Sequence, residues 1–350
     1  MVSAAAICRD LLLFTRQATQ GRLGCNRCTE INLENLAPDC YNKAMMSIKE
    51  HPPQSEALQV GEPIHVPVLL EVTLDRLRPA RGERYLDLTA GYGGHAREFL
   101  QRTDNYLGAV LVDRDDNAIN TLGDLAEKGA MLIHKDFVSA AQDLVKQGRT
   151  FDVILADLGV SSPQLDRAER GFSFRFDGPL DMRMDNRTET TAADIVNSYS
   201  VDELTRLITR YGEENPGRAR RIAQAIVSAR PIRGTTELAD LIKHTVGRGG
   251  MKHHPATRTF QALRIEVNHE LRLVEELLPL LPRLLNRGGR VGIISFHSLE
   301  DRLVKRYFWE QAAAGYEAEL SVPEKRPVSG TEDVHNPRSR SAKFRYAVKT

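Results

Sequence analysis

A glycine-rich turn follows the first apolar run in the patterned part of the sequence. The turn reads Asp87-Leu-Thr-Ala-Gly-Tyr-Gly-Gly-His95. Glycines between a strand and a helix let the backbone approach a ligand closely, and the first amide groups of the helix point towards that ligand. The spacing satisfies only the loose form of the dinucleotide-binding pattern, so it predicts a nucleotide-like ligand without identifying it.

Two further carboxylates follow apolar runs in the same way. Asp113 ends the second run, at a distance from the glycines that suits a pair of ribose hydroxyls, and Asp157 ends the third. In open α/β sheets the ligand crevice lies at the carboxyl ends of the strands, so Asp87, Asp113 and Asp157 are expected to converge on one cleft. Together they predict a cofactor that contains a nucleoside.

An aromatic residue follows a short additional strand predicted at Met131–His134. Phe137 lies where its ring could flank an adenine. Phenylalanine is also among the residues most often buried, so core packing is an equally good interpretation of this ring.

The elements that must position these residues alternate along the chain. Four short, nearly continuous apolar runs are typical of parallel strands that are covered on both faces: Arg84–Leu88, Leu107–Val112, Phe151–Ala156 and Arg290–Ser295. Segments long enough for helices separate the first three runs. Strands that alternate with helices predict a doubly wound, Rossmann-like α/β sheet.

The last two of these strands are about 130 residues apart, which is too long for a simple crossover. The stretch between them has a helical pattern, clearest at Arg218–Ala229. A second long helical pattern at Phe260–Leu285 is predicted to be kinked or interrupted at Pro279 and Pro282. We therefore predict an α/β domain formed by residues 63–165 and 269–350. A mostly helical domain is inserted at residues 166–268.

Composition excludes several classes of protein. The chain has 350 residues, with 48 Lys and Arg against 47 Asp and Glu, so it is not a polybasic protein. No apolar run reaches the length of a membrane span. All 4 cysteines lie in the first 40 residues, and the single CxxC pair at Cys25 and Cys28 has no second pair to complete a zinc site. We predict no metal site.

The first 62 residues precede the patterned sequence and are predicted to be an N-terminal extension, disordered or produced by a mis-assigned start. Arginine exceeds acidic residues in the first 28 positions, as in a mitochondrial presequence. The sequence leaves open a cytoplasmic or a mitochondrial location, and it leaves open a homodimer.

A local excess of positive charge lies at residues 216–306, which hold 17 Lys and Arg against 8 Asp and Glu. Clustered bases attract phosphates, and Lys252, Arg258 and Arg264 are the candidate RNA contacts. The alternative is a solvated helix face, with the arginines paired to acids of the Asp177–Asp185 segment.

Several long strings complete the pattern, and their order matches a known family. They include His65-Val-Pro-Val-Leu-Leu-Glu71, Asp157-Leu-Gly-Val-Ser-Ser-Pro-Gln164, Glu169-Arg-Gly-Phe, His254-Pro-Ala-Thr-Arg-Thr-Phe-Gln-Ala-Leu-Arg and Ser295-Phe-His-Ser-Leu-Glu-Asp-Arg302. From His65 to its end, the sequence resembles the ribosomal RNA small subunit methyltransferase H family, which methylates N4 of a cytosine in 16S rRNA.

The resemblance implies a class I S-adenosylmethionine-dependent methyltransferase fold with a helical insertion that recognises RNA. It also implies S-adenosylmethionine as the cofactor. The residues that the resemblance assigns to the cofactor are Gly93, Gly94, His95, Asp113, Phe137, Asp157 and Gln164. Many amino-methyltransferases carry an Asn/Asp-Pro-Pro-aromatic motif where this chain has Asp157-Leu-Gly159, so the mechanism of that motif cannot be transferred.

The function implied is methylation of a cytosine at the ribosomal P site, with 16S rRNA in the small ribosomal subunit as partner and no membrane. Two alternatives stay open: a nicotinamide-dependent oxidoreductase, and a non-catalytic RNA-binding assembly factor. Asp157 is the candidate catalytic residue, because a carboxylate at this strand end could accept a hydrogen bond from the cytosine amine as charge develops. Cofactor binding is the competing role for Asp157.

Overall fold

The computed structural model describes residues 67–247, 254–333 and 336–350. The chain divides into two units, Met1–His65 and Val66–Thr350, and every described residue belongs to the second unit. The N-terminal extension predicted at residues 1–62 and the candidate RNA contact Lys252 lie outside the described residues. No helix among the described residues is long and apolar enough to cross a membrane.

A central sheet organises the second unit. Its strands are β1 (Tyr85–Asp87), β2 (Val110–Asp113), β3 (Met131–His134), β4 (Phe151–Asp157), β5 (Leu285–Ser295), β6 (Leu320–Ser321), β7 (Val328–Ser329) and β8 (Lys343–Lys349). The order is β3-β2-β1-β4-β5-β8-β6, and β7 pairs with β8. The first five strands are parallel, and β8 runs antiparallel to β5.

Fourteen α-helices are present in the described residues. They are α1 (Leu70–Leu77), α2 (Gly94–Thr103), α3 (Asp116–Thr121), α4 (Gly123–Glu127), α5 (Phe137–Lys146), α6 (Ser162–Asp166), α7 (Ala192–Ser198), α8 (Val201–Tyr211), α9 (Pro216–Ser228), α10 (Thr235–Val246), α11 (Thr257–Asn268), α12 (Glu270–Leu277), α13 (Leu281–Leu284) and α14 (Ser298–Ala313). Short 3₁₀ turns include Ala168–Arg170 and Gly315–Glu317.

Both faces of the sheet are buried, because side chains alternate between two hydrophobic clusters. On β2, Val110 and Val112 pack with residues of α5, α12 and α14. The intervening Leu111 packs on the opposite face with residues of α1 and α2. Alternation of this kind requires apolar residues at every strand position, which explains the continuous runs in the sequence. The predicted doubly wound α/β sheet is confirmed.

A third hydrophobic cluster lies within the inserted segment and extends from Phe172 to Val267. On α9 its members include Ala219, Ile222 and Ile226, which are spaced to form one helical stripe. This cluster lies inside the limits predicted for the insertion, residues 166–268, and we retain those limits as a proposal.

The interruption predicted at Pro279 and Pro282 is present, and the helical pattern also breaks further upstream. After α12 ends at Leu277, each proline lies in the first turn of a short helix, where a missing amide costs little. The upstream break was not predicted: α11 ends at Asn268, and His269 adopts a left-handed conformation with φ 51. The Asn268 side chain accepts a hydrogen bond from the Met184 amide and donates one to the Met182 carbonyl, which fixes the end of the helix.

Candidate active site

The carboxyl ends of β1, β2 and β4 lie side by side, because β1 is hydrogen-bonded between the other two strands. The chain winds outwards from β1 to β3 and then crosses to β4. A crevice at the strand ends is expected at such a reversal of strand order. Asp87, Asp113 and Asp157 are each the last residue of one of these strands.

The glycine turn needs its glycines for two separate reasons. Gly93 precedes α2 with φ 84, a left-handed conformation that favours glycine. Gly94 begins α2, and a Cβ atom at this position would lie 2.7 Å from the Pro67 ring. The first turn of α2 has no acidic residue to occupy its amide groups. No side chain caps the start of α2, so the turn presents its first amide groups in the way that nucleotide-binding turns do.

Asp113 ties the end of β2 to this turn. One carboxylate oxygen accepts a hydrogen bond from the Gly91 amide at 2.7 Å, and the other accepts one from the Asp115 amide at 2.8 Å. Burial raises the pKa of Asp113 above its ordinary value. Asp113 thus orders the turn and also presents a carboxylate at the crevice.

Asp87 is buried and helps to fix the conformation of the chain at the start of the glycine turn. Its carboxylate accepts hydrogen bonds from the Tyr85 hydroxyl at 2.7 Å and from the Thr89 amide at 3.1 Å. Burial raises the pKa of Asp87 to about 7. The Thr89 hydroxyl in turn accepts a hydrogen bond from the Asp157 amide at 2.6 Å, which connects β1 to the end of β4.

The raised pKa of Asp87 predicts a pH-dependent stability. Between the ordinary pKa of 3.8 and about 7, the folded protein keeps a proton on Asp87 that the unfolded chain has lost. The folded state binds more protons in this window, so the free energy of unfolding should fall as pH rises through it. In Asp87→Asn the free energy of unfolding should fall less over this pH range, by up to about 4 kcal/mol, because each pKa unit corresponds to about 1.4 kcal/mol.

Urea unfolding of both proteins at several pH values between 4 and 8 measures this effect. The exposed Asp202→Asn on α8 is the matched control and should leave the pH dependence of the wild type unchanged. Parallel curves for the wild type and Asp87→Asn would show that Asp87 does not titrate in this window.

Asp157 faces His95 across the crevice. The imidazole Nδ1 lies 3.6 Å from Asp157 Oδ2, and Nε2 lies 3.1 Å from the Val68 carbonyl oxygen. Asp157 Oδ1 is buried and has no hydrogen-bond partner among the residues that the structure describes. Burial, with Asp87 and Glu300 nearby, raises the pKa of Asp157 well above its ordinary value. An unsatisfied buried acceptor is costly, so this oxygen is suited to a donor brought by a ligand.

Gln164 belongs to a buried polar group that the sequence did not reveal. Its amide nitrogen donates to Asp115 Oδ2 at 2.8 Å, and its amide oxygen accepts from the Ser161 amide at 2.9 Å. The Arg170 guanidinium forms an ion pair with the same Asp115 oxygen at 2.9 Å. These contacts join the end of β2 to the start of the inserted segment.

The aromatic side chains at the site differ in exposure. Phe137 begins α5, is 8% exposed and belongs to the sheet core, so the structure gives it the packing role that the sequence left open. Phe296 follows β5 and is half-buried. Its ring packs on Gly159, where a Cβ atom would lie 3.0 Å from the ring. The chain thus places an aromatic ring from β5 beside the segment that lacks the Pro-Pro-aromatic motif.

Arg264 has an internal partner. Its guanidinium donates two hydrogen bonds to the two oxygens of Glu270, both at 2.8 Å, and its side chain is only 15% exposed. This pairing satisfies the guanidinium within the protein, which weighs against Arg264 as an RNA contact. The partner is Glu270 and not an acid of the Asp177–Asp185 segment.

Arg258 differs from Arg264. It is 55% exposed and lies 3.4 Å from Glu214. It also donates to the Glu213 carbonyl at 3.2 Å. More than half of its side chain therefore faces solvent, and Arg258 stays a candidate RNA contact.

Glu270, His297 and Glu300 bring potential metal ligands within 4.8 Å of one another. Both oxygens of Glu270 are already bound by Arg264. Glu300 accepts hydrogen bonds from the Phe296 and His297 amides and so closes the first turn of α14. Because Arg264 supplies the positive charge that an ion would bring, we interpret this cluster as buried structural pairing.

The strand-end geometry fits a nucleoside cofactor. The glycine turn offers backbone amides, and Asp113 offers a carboxylate beside it. S-adenosylmethionine, with its ribose and its methionine part, matches these two features. Asp157 Oδ1, which has no hydrogen-bond partner in the described residues, leaves an acceptor for a second reactant at the neighbouring strand end.

Comparisons with known proteins place the chain among methylases. Residues 62–350 match the model of the MraW methylase family. The chain is 47% identical over 293 residues to ribosomal RNA small subunit methyltransferase H of Gloeothece citriformis, covering 81% of this chain and 93% of that protein. It is 42% identical over 308 residues to the protein of the same name from Clostridioides difficile, covering 81% of this chain and 98% of that protein.

A solved rRNA methylase from Streptococcus thermophilus is 11% identical to the chain, with a TM-score of 0.35, covering 83% of this chain and 98% of that one. The match to the family model extends over most of the chain and excludes the nicotinamide-dependent oxidoreductase. The predicted class I methyltransferase fold and S-adenosylmethionine as cofactor are confirmed. By its family model and by its identity to these relatives, the chain belongs to the MraW methylase family.

Proposed function

We propose that the chain transfers a methyl group from S-adenosylmethionine to N4 of a cytosine in 16S rRNA, at the P site of the small ribosomal subunit. The observation that carries this proposal is the buried Oδ1 of Asp157 beside the glycine turn, which has no hydrogen-bond partner in the described ranges of the chain. Relatives that share 42% to 47% of their residues with the chain are named small subunit rRNA methyltransferases, which supports the RNA substrate. Cytoplasmic action is part of this proposal.

The cofactor would be held by residues of three strand ends. The turn at Gly93, Gly94 and His95 would face the methionine part, and Asp113 would accept hydrogen bonds from the ribose hydroxyls. Gln164 would act through Asp115, to which it is hydrogen-bonded. Phe137 would line the adenine side from the core. When bound, the cofactor supplies an electrophilic methyl group on a positively charged sulfur.

Asp157 would act on the other reactant. The lone pair of a cytosine amine is delocalised into the ring, so the enzyme must hold the amine in line with the methyl group. Asp157 Oδ1 can accept a hydrogen bond from the amine and thereby orient the nitrogen. As the nitrogen bonds to the methyl group and becomes positive, this hydrogen bond strengthens, which lowers the barrier to transfer. The surplus proton of the methylated amine would then pass to the Asp157 carboxylate. The half-buried ring of Phe296 offers a face for the base.

Asp113→Ala tests the ribose assignment. Affinity for S-adenosylmethionine should fall about 10- to 100-fold, because hydrogen bonds to a charged group contribute roughly 1.5–3 kcal/mol. Calorimetric titration measures the affinity, with circular dichroism to verify folding. Asp116→Ala removes a neighbouring exposed carboxylate and should leave the affinity unchanged. An Asp113 variant that binds S-adenosylmethionine as tightly as the wild type does would contradict the assignment of Asp113 to the ribose.

The inserted segment is the proposed RNA-recognition part. Arg258 and Lys252 are the proposed phosphate contacts there, and the exposed side chain of Arg258 supports this role. The labelling experiment with S-adenosylmethionine distinguishes naked RNA from an assembled subunit as the substrate. It also shows whether the chain acts as a homodimer.

The test uses S-adenosylmethionine with a labelled methyl group. Naked 16S rRNA and small subunits are incubated separately with the protein and digested to nucleosides. The proposal predicts label in N4-methylcytidine and no label without the protein. The preferred substrate and the mass of the active species by light scattering are read from the same samples. Label in any other nucleoside would contradict the proposal, and the absence of label with both substrates would favour a non-catalytic assembly factor.

A further inference from the structure

Helix α14 carries a face of cations that ends in an exposed tryptophan. Arg302, Lys305, Arg306 and Trp309 recur at intervals of three and four residues and so share one side of the helix. All four side chains are exposed, and Trp309 is 67% exposed. Neither the strand-end crevice nor the inserted segment includes Lys305, Arg306 or Trp309.

The end of this face is unusually aromatic for a protein surface. An open groove beside Trp309 is lined by Phe308, Ala312 and Val322, with Lys305 and Lys325 at its rim. Tyr316 follows the end of α14 and is 97% exposed. Large aromatic side chains are normally buried, so exposed rings next to lysines call for a partner that offers flat faces and negative charge.

The cations differ in how firmly they are paired. Arg302 is held by Glu213 at 2.8 Å, but the nearest carboxylate to Arg306 is Glu275 at 3.8 Å. Lys305 has no carboxylate within 4.0 Å in the described part of the chain. Glu310, which follows Trp309, is an exposed acid at the margin of this face. Lys305 and Arg306 therefore have charge to offer to phosphates.

The position of α14 connects this face to the crevice. The helix begins at Ser298, directly after β5, whose carboxyl end is next to that of β4. Arg302 lies one turn into the helix, and Trp309 lies about 10 Å further along it, since an α-helix rises 1.5 Å per residue. A strand held at the crevice can therefore continue along the face of α14.

We propose that single-stranded RNA next to the target nucleotide lies along this face, with phosphates at Lys305 and Arg306 and a base stacked on Trp309. Stacking on aromatic rings combined with a basic track is the usual way in which proteins hold single strands without sequence preference. This inference rests on the proposed function in one respect, namely that the substrate is RNA.

The experiment uses intrinsic fluorescence, because Trp309 is the only tryptophan in the 350-residue chain. The probe is an unstructured 15-nucleotide RNA of mixed sequence added to the full-length protein. Stacking should quench the fluorescence, and the RNA concentration at half-maximal quenching should agree with the dissociation constant from anisotropy of the same labelled RNA. Trp309→Ala should weaken binding about 5- to 100-fold, and Trp309→Tyr should keep most of the affinity.

Charge reversal tests the basic part of the face. Lys305→Glu with Arg306→Glu should reduce the slope of log affinity against log salt by about 1.4, since each phosphate contact with a single strand contributes about 0.7. Lys128→Glu with Lys146→Glu is the matched control. It changes the net charge equally at exposed sites on other segments of the chain and should alter the slope much less.

Absence of quenching at RNA concentrations that saturate anisotropy would overturn the proposal. Equal salt slopes for the two charge-reversal variants would also overturn it. Quenching by assembled small subunits but not by RNA would assign the face to a ribosomal protein and would reject RNA. Methyl transfer to full-length rRNA is measured in parallel, so the face can fail as an RNA site while the proposed function stands.

Discussion

Asp157→Asn should lower the rate of methyl transfer about 100-fold or more at saturating S-adenosylmethionine, because the variant loses a transition-state acceptor. The substitution keeps the shape of the side chain but removes its charge. Asp157 Oδ1 has no hydrogen-bond partner in the described residues, so it is available to the cytosine amine. Single-turnover rates measure the chemical step without product release.

The affinity of Asp157→Asn for S-adenosylmethionine separates catalysis from cofactor binding. An interaction made only in the transition state changes the rate and leaves the affinity nearly constant. If Asp157 instead serves the cofactor, affinity should fall first, and saturating cofactor should largely restore the rate. A variant that is normal in both measurements would remove Asp157 from the site.

The pH dependence of the rate gives a second measure of the same carboxylate. Burial raises the pKa of Asp157 in the protein without ligands, and a cationic sulfonium would favour the ionised form. Only the ionised carboxylate offers both of its oxygens as hydrogen-bond acceptors, one of them to the amine. The wild-type rate should therefore rise as pH increases through the pKa of Asp157. The residual rate of Asp157→Asn should be flat over that range.

Arg170→Met should destabilise the folded protein by about 3–5 kcal/mol, because it leaves the buried carboxylate of Asp115 without its cation. Arg170 and Asp115 are both at least nine-tenths buried, and their ion pair measures 2.9 Å. Arg170 also donates to the carbonyls of Arg183 and Met184, so the variant loses contacts within the inserted segment. Denaturant unfolding measures the change.

Two variants show whether burial of charge is the cause. Asp115→Asn combined with Arg170→Met should recover a large part of the lost stability, because no charge is then left unpaired. Arg187→Met breaks a 2.7 Å ion pair with Asp185 whose arginine is 51% exposed, and it should cost less than about 1 kcal/mol. Equal losses for Arg170→Met and Arg187→Met would contradict the proposed role of the buried pair.

Sequence patterns predicted the parallel strands well, because each is buried on both faces and therefore apolar throughout. Strand β8 was not predicted. Its sequence alternates Lys, Phe, Arg and Tyr, and two of its basic side chains, Lys343 and Arg345, owe their positions to Asp301 on α14. The break between helices α11 and α12 at His269 was also not predicted. It depends on hydrogen bonds of Asn268 to a segment that lies more than 80 residues away in the sequence.

The candidate site likewise contains residues that the sequence predicts and contacts that it does not predict. The three strand-end carboxylates could be predicted because parallel strands align their carboxyl ends. The contact between Asp115 and Arg170 could not, since 55 positions separate them and only the fold brings them together. For Arg264 the sequence permitted either an RNA contact or an internal ion pair, and only the position of Glu270 decides between them.

A mass-spectrometric map of the small subunit rRNA would show whether the chain methylates a P-site cytosine and whether Asp157 is needed for transfer. Unmodified subunits are incubated with S-adenosylmethionine that carries a heavy methyl group and with either the wild type or Asp157→Asn. We expect one heavy methyl group, on the exocyclic amine of a P-site cytosine, and about 100-fold slower incorporation with the variant. A heavy methyl group on another base, or equal incorporation by the two proteins, would contradict this expectation.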